Sequence, residues 1–175
     1  MAKRNSNARA VPDRLGEGAL AAQLQMRLRG VPADGADASI AEARRVVWVD
    51  AGDEVLVHLD SIQVRLLNRA IVVSVDLETD QTGRAPLICS FALGSQRDKA
   101  GLIATTDELP HGNAQLAARW GRVLQSALWG SLLALAREHA AERGEDAHAI
   151  HVMPGNLQLK AARLQRITLP ARAKP

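Results

Sequence analysis

The stretch NAQLAARWGRVLQSALWGSLLALAREHAAER, Asn113 to Arg143, decides how the rest of the chain must be arranged. Its Leu116, Trp120, Val123, Leu124, Ala127, Leu128, Ser131, Leu132 and Leu135 recur at three- and four-residue spacing, which gathers them on one stripe of an α-helix. Such a stripe must be covered. Each large side chain buried there contributes roughly 1.5–3 kcal/mol before entropy, so the helix supplies on the order of 10–20 kcal/mol gross. Arg119, Arg122, Gln125 and Arg137 interrupt it, so it lacks the roughly 18 consecutive apolar residues that a membrane span needs. Gly144 is a natural stop just past its end, and Arg137 and Arg143 suit the negative end of the helix dipole.

Upstream, from Arg44, the period changes to two. The runs Arg45 to Val49, Glu54 to Leu59, Ile62 to Leu67, Ala70 to Thr79, Ala85 to Leu93 and Gly101 to Thr105 are rich in β-branched residues and separated by short Asp, Asn and Gly turns. Val55, Val57 and Leu59 alternate, then Ile62, Val64 and Leu66 after a one-residue slip at Asp60-Ser61, then Val73, Val75 and Leu77. One apolar face and one polar face predict an antiparallel meander whose buried face the long helix covers. Cys89 sits in the apolar run PLICSFALG and reads as a small buried hydrophobe in a reducing compartment.

The ends follow from composition. Residues 1-13 hold little that can be buried and are expected to be a disordered basic N-terminus. Residues 14-39 read as a short helix, Arg14 to Arg29 with Leu15, Leu20, Leu24 and Leu28 on one side, then a linker at Val31 to Ser39. Residues 40-162 form a single domain, in which AIHVMPGNLQLKA is a hairpin turning at Pro154-Gly155-Asn156 and adding two strands to the sheet edge. Residues 163-175 are a basic tail. The fold class is therefore α+β: an antiparallel β-meander of about five to seven strands packed against one long helix in the C-terminal half, with a shorter N-terminal helix.

Charge is distributed unevenly. The net +3 divides into +4 for residues 1-30, +5 for residues 151-175 and −6 for the acidic body between. Lys3, Arg4, Arg9, Arg163, Arg166, Arg172 and Lys174 are placed to meet phosphates or an acidic partner, so weak, sequence-independent nucleic-acid binding is one expected activity. Aromatic content of 2% argues against base-stacking platforms. No secretory leader or membrane span is legible, which predicts a cytoplasmic protein without a membrane partner.

For chemistry, the sharpest stretch is Ile71-Val72-Val73-Ser74-Val75-Asp76-Leu77-Glu78-Thr79-Asp80. Residues two apart on a strand share a face, so the Asp76 and Glu78 carboxylates can converge. Over these ten residues the Asp-x-Glu-Thr resembles the first motif of the DEDD exonucleases among RNase H-like nucleases. That resemblance implies a metal-dependent nuclease with Mg or Mn held at Asp76 and Glu78. The long helix offers only Glu138 and Glu142 as a second acidic motif, and Asp146 is followed by His148, so the preferred reading of Ser74, Asp76, Glu78 and Asp80 is a solvated strand face. His58 falls on that polar face, opposite the core. His139, Glu142, Asp146, His148 and His151 show no metal-binding spacing, so no cofactor or metal is expected. The helix is apolar over a wide arc, with Trp129 and Leu133 off the main stripe. Trp120, Trp129 and Leu133 are thus candidate interaction residues for the N-terminal helix, a protein partner or a second subunit. Gly121 and Gly130 each weaken the helix and stand too far round from one another to form a close-packed seam. The favoured function is a non-catalytic interaction or assembly protein docking through the helix flank, the sheet edge and the basic ends.

Overall fold

The computed structural model describes residues 11–30, 44–93, 103–105 and 109–163. Within them the chain is α+β, with two helices and two antiparallel sheets. The strands are β1 (Arg14–Gly16), β2 (Arg45–Asp50), β3 (Asp53–Leu67), β4 (Ala70–Thr79), β5 (Gly83–Leu93), β6 (Ile103–Thr105), β7 (His111–Gly112), β8 (Ala147–Met153) and β9 (Asn156–Ala162). The helices are α1 (Glu17–Leu28) and α2 (Ala114–Glu142).

Helix α2 forms where the apolar spacing places it, and its ends are chemically defined. Asn113 caps the N-terminus, its Oδ1 accepting from the Gln115 and Leu116 amides at 3.0 and 3.1 Å. At the other end Gly144 takes φ 65, its N–H donates to the Ala141 carbonyl, and the Glu145 N–H donates to the Ala140 carbonyl. Those two bonds make a Schellman stop, which needs the left-handed conformation that glycine adopts without a Cβ penalty. Of the stripe, Leu116, Trp120, Leu124, Leu128, Ser131, Leu132 and Leu135 are buried, and Val123 and Ala127 are half-buried.

The main sheet runs β2-β3-β4-β5-β6, with β7 pairing β5 beside β6. Its inner face is Val55, Val57, Leu59, Ile71, Val73, Val75, Leu77, Leu87, Cys89 and Phe91, all buried. The slip at Asp60-Ser61 is a β-bulge: His58 pairs Asp76, the next paired residue is Gln63 opposite Ser74, and four residues of β3 bulge past Val75 alone. Ser61 repairs the ladder. Its hydroxyl donates to the His58 carbonyl at 2.6 Å and accepts from the Asp76 amide at 2.8 Å, replacing the backbone partner that the bulge removes.

Two expectations are corrected by packing. The hairpin β8–β9 does not extend the main sheet; it forms a second sheet of order β1-β9-β8, in which Leu15 pairs Leu157. Arg14 to Gly16 therefore leave the predicted first helix, which starts at Glu17 with Gly16 as its cap. The small sheet abuts the β3–β4 turn through Arg69 N–H to the Val152 carbonyl and Gly155 N–H to the Leu66 carbonyl. The layer over the main sheet is also shared. α1 lies on β3 and against α2, while α2 packs on β8 and β9 and on β5 and β7. Leu20, Leu24 and Leu28 of α1 belong to the same core as the α2 stripe. Arg27 and Glu138 tie the two helices, with Arg27 Nη1 at 2.9 Å from Glu138 Oε1.

Residues 11–13, expected to be part of a disordered end, are anchored instead. The Val11 amide donates to Glu142 Oε2 at 2.9 Å, and the Asp13 carbonyl accepts from the Leu159 amide at 2.8 Å. The linker expected at 31–39 and the turn expected at 94–100 fall outside the described residues.

Candidate functional site

Asp76 and Glu78 stand on β4 with their side chains on the outer face of the main sheet, as their two-residue spacing requires. Each carboxylate has a partner diagonally across a neighbouring strand. Glu78 Oε2 accepts from His58 Nε2 at 2.7 Å, and Asp76 Oδ2 accepts from Arg84 Nε at 2.7 Å. Register explains the pattern: His58 is opposite Asp76 on β3 and Arg84 is opposite Glu78 on β5, so both contacts reach one step along the neighbouring strand. The outer face thus carries two crossed pairs, and each carboxylate is oriented by a nitrogen donor. Among the described residues no three His, Cys, Asp or Glu side chains gather so as to hold a metal ion.

His58 is on the polar face, as the alternation says, yet it is only 3% exposed. It is the last paired residue before the bulge, and its ring is held against Glu78 at the point where β3 leaves the ladder. Alternation assigns a face; it carries no information about how deeply a side chain on that face is buried.

A second cluster, between α2, β9 and the N-terminal segment, escaped sequence reasoning. His139 is 2% exposed, and its Nε2 lies 2.9 Å from Asp13 Oδ1, while its Nδ1 is buried without a partner. Arg143 also binds Asp13 through Nη2 and donates from Nη1 to the His139 carbonyl at 2.9 Å. The His139 hydrogen bond and the Arg143 charge hold the Asp13 carboxyl below its ordinary range. These residues, with Glu145 and Lys160, line an open depression of about 450 Å³. Its chemistry is that of a staple: a carboxylate from one end of the chain held by two donors from the end of α2. The other histidines do not join it. His148 and His151 are three apart on β8 and so point to opposite faces; His148 is exposed and His151 half-buried, its pKa lowered by burial and by Lys160.

The proposed interaction residues are distributed differently from one another. Trp120 is 2% exposed, with the Arg119 guanidinium 4.5 Å from its ring centroid, so its indole is spent in the core. Trp129 is half-buried and stacks on Phe91 with ring centroids 5.9 Å apart. Leu133 is half-buried. Of the basic residues, Arg163 is exposed at the end of the described chain, and Lys3, Arg4, Arg9, Arg166, Arg172 and Lys174 lie outside it.

The apolar surface that sequence reasoning left unnamed is on β2. Val47 and Val49 are 57% and 66% exposed, the two most exposed large hydrophobic side chains among the described residues. They point to the outer face, while Val46 and Trp48 are half-buried against the core. Behind β2, Arg119 of α2 grips the β2–β3 hairpin through Asp53 Oδ2 at 2.6 Å and Asp50 Oδ2 at 2.8 Å. None of the described helices is long and apolar enough to cross a membrane. Compared with protein-family models, curated proteins and solved structures, the chain has no match in any of the three.

Proposed function

We propose that this protein is a non-catalytic interaction or assembly module that docks through the edge and outer face of its main sheet and through the partly covered flank of α2. The observation that carries this reading is the exposed valine pair on β2, an apolar sheet edge of the kind proteins use to add a strand from a partner. Trp129 and Leu133 provide a second, half-buried apolar element on α2. The basic residues near both ends are proposed to add electrostatic attraction to an acidic partner or to phosphates. Light scattering coupled to size-exclusion chromatography, together with affinity co-purification of the tagged full chain, tests it. The expected result is a mass above that of one chain or a stoichiometric partner; a strict monomer at high concentration with no partner counts against the reading.

The competing reading is a metal-dependent nuclease on Asp76 and Glu78, and the shared outer face of the two carboxylates favours it. Nuclease activity with Mg or Mn that is abolished in Asp76→Asn would support that reading. Activity unchanged in that variant removes these residues from any catalytic role.

A further inference from the structure

We propose that β2 is the seat of a homodimer, in which the edge of β2 that no described strand occupies pairs antiparallel with β2 of a second copy about a two-fold axis at Val47. This rests on the assembly reading above and narrows it to one strand and one partner.

The backbone dictates which groups are available. Ala51 and Gly52, at φ 50 and φ 89, make a two-residue turn of the type that leaves Asp50 and Asp53 as a hydrogen-bonded pair. Alternation then points the N–H and C=O groups of Trp48 and Val46 toward β3, and those of Val49, Val47 and Arg45 away from it. The Arg44 carbonyl, accepting from the Leu59 amide at 2.8 Å, continues the inward series. Among the described residues no strand pairs with the outward series. An edge of this kind is ordinarily blunted by proline, a bulge or a lysine; Val46-Val47-Trp48-Val49 has none of these.

Charge and face select the second copy and the register. In a continuous sheet, opposed residues must share a face, so the pairing is centred either on Val47 or on Trp48. Centred on Trp48, Val46 would face the Asp50 carboxylate of the second copy and Arg45 would face Ala51. Centred on Val47, Val46 meets Trp48, Val47 meets Val47, and Arg44 meets Asp50 of the second copy, at both ends of the pairing by symmetry. Asp50 already receives Arg119 on one oxygen, and the second guanidinium approaches the same exposed carboxylate from across the edge. About six backbone hydrogen bonds close between the two chains. Val47 and Val49 become central in a sheet twice as wide.

The test uses the full chain in four forms: unaltered, Val47→Pro, Val47→Lys and Val47→Cys, with Val49→Cys as a register control. Proline at 47 deletes an N–H that points away from β3, so the β2–β3 ladder is preserved; far-UV circular dichroism and the urea midpoint verify that it folds, and the lysine variant stands if it does not. In sedimentation velocity the unaltered chain should climb with concentration toward twice 18.8 kDa, while the proline and lysine variants stay at one chain mass. Under mild oxidation Val47→Cys should cross-link about tenfold faster than Val49→Cys, because only position 47 meets itself at the distance a disulfide spans. Native Cys89 is buried and stays out of the reaction. Undiminished dimer in both Val47→Pro and Val47→Lys, or equal cross-linking at 47 and 49, overturns the β2 inference and leaves assembly through another surface standing. A monomer at all concentrations overturns it as well, and co-purification of a different partner then decides whether the assembly reading survives.

Discussion

Alanine in place of Gly121 and alanine in place of Gly130 should move stability in opposite directions, although both sites lie in α2. Taken alone, each exchange favours the helix by roughly 0.5–1 kcal/mol, because glycine loses more backbone freedom on folding. At Gly130 a Cβ would meet nothing within 4 Å and would face solvent, so that whole gain should be realised. Gly121 is buried, and a Cβ there would lie 2.9 Å from Pro110 Cδ, 3.4 Å from Pro110 Cγ and 3.7 Å from Leu109 Cδ2. Carbon atoms settle about 3.5–4 Å apart, so the proline ring must retreat by roughly 0.6–1 Å. A ring whose φ is fixed cannot rotate aside as a long side chain would. Overpacking of this kind costs about 1–3 kcal/mol, which leaves Gly121→Ala about 0–2.5 kcal/mol less stable after the helix gain is credited. The two variants should therefore differ by about 1–3 kcal/mol, or several degrees in Tm at ~2–4 °C per kcal/mol for a chain of this size. Urea unfolding followed by tryptophan fluorescence, with circular dichroism as a second probe, measures the difference. If Gly121→Ala proves as stable as Gly130→Ala, Pro110 does not seat in the notch and the reasoning fails.

Three further outcomes follow from particular contacts. Ser61→Ala should cost about 1–3 kcal/mol in urea unfolding, because the Asp76 amide loses its acceptor inside the bulge; a loss within a few tenths would mean another acceptor takes over. Burial pushes the Cys89 thiol up to about 12, so the native protein should resist iodoacetamide at pH 8 and react once unfolded in urea, and fast native labelling would contradict the buried position. Asp13 is held below its ordinary value of 3.8 in the fold, so its stabilising contribution is complete above that pH and is lost as pH falls through the folded value. Asp13→Asn should accordingly flatten the acid limb of the stability–pH curve, and an unchanged limb would show that the staple carries no linkage.

What was legible in the sequence was whatever repeats locally. The stripe from Leu116 to Leu135, Asn113 and Gly144 as its ends, and the phase slip at Asp60-Ser61 are all set by neighbours within a few residues, and the structure has them there. The puzzle of Gly121 was visible, but its answer was not, because Pro110 belongs to an irregular segment just before β7 that leaves no periodic trace. The β8–β9 hairpin was readable and its sheet was not: its partner β1 is a three-residue strand whose pairing depends on a distant segment. The same holds for the site candidates. Asp76 and Glu78 were found because a strand has period two, whereas Asp13 and His139 lie 126 positions apart and nothing in either neighbourhood points to the other. The helical period already set Trp120 on the stripe and Trp129 off it, but that Trp129 lies against Phe91 is a matter of tertiary packing with no local trace.

The anchoring of Val11 to Glu142, across 131 positions, also orders events during synthesis. Until the ribosome has made α2 and β9, β1 has no strand to pair with and Asp13 has neither His139 nor Arg143 to hold it. The meander β2–β5 can form hairpin by hairpin and receive α1 on β3, but α2 lacks the layer it packs on until β8 and β9 emerge and the small sheet closes. A nascent chain of this protein therefore exposes that flank of α2 until β9 has been made, and a chaperone that engages apolar helices would meet it in that interval.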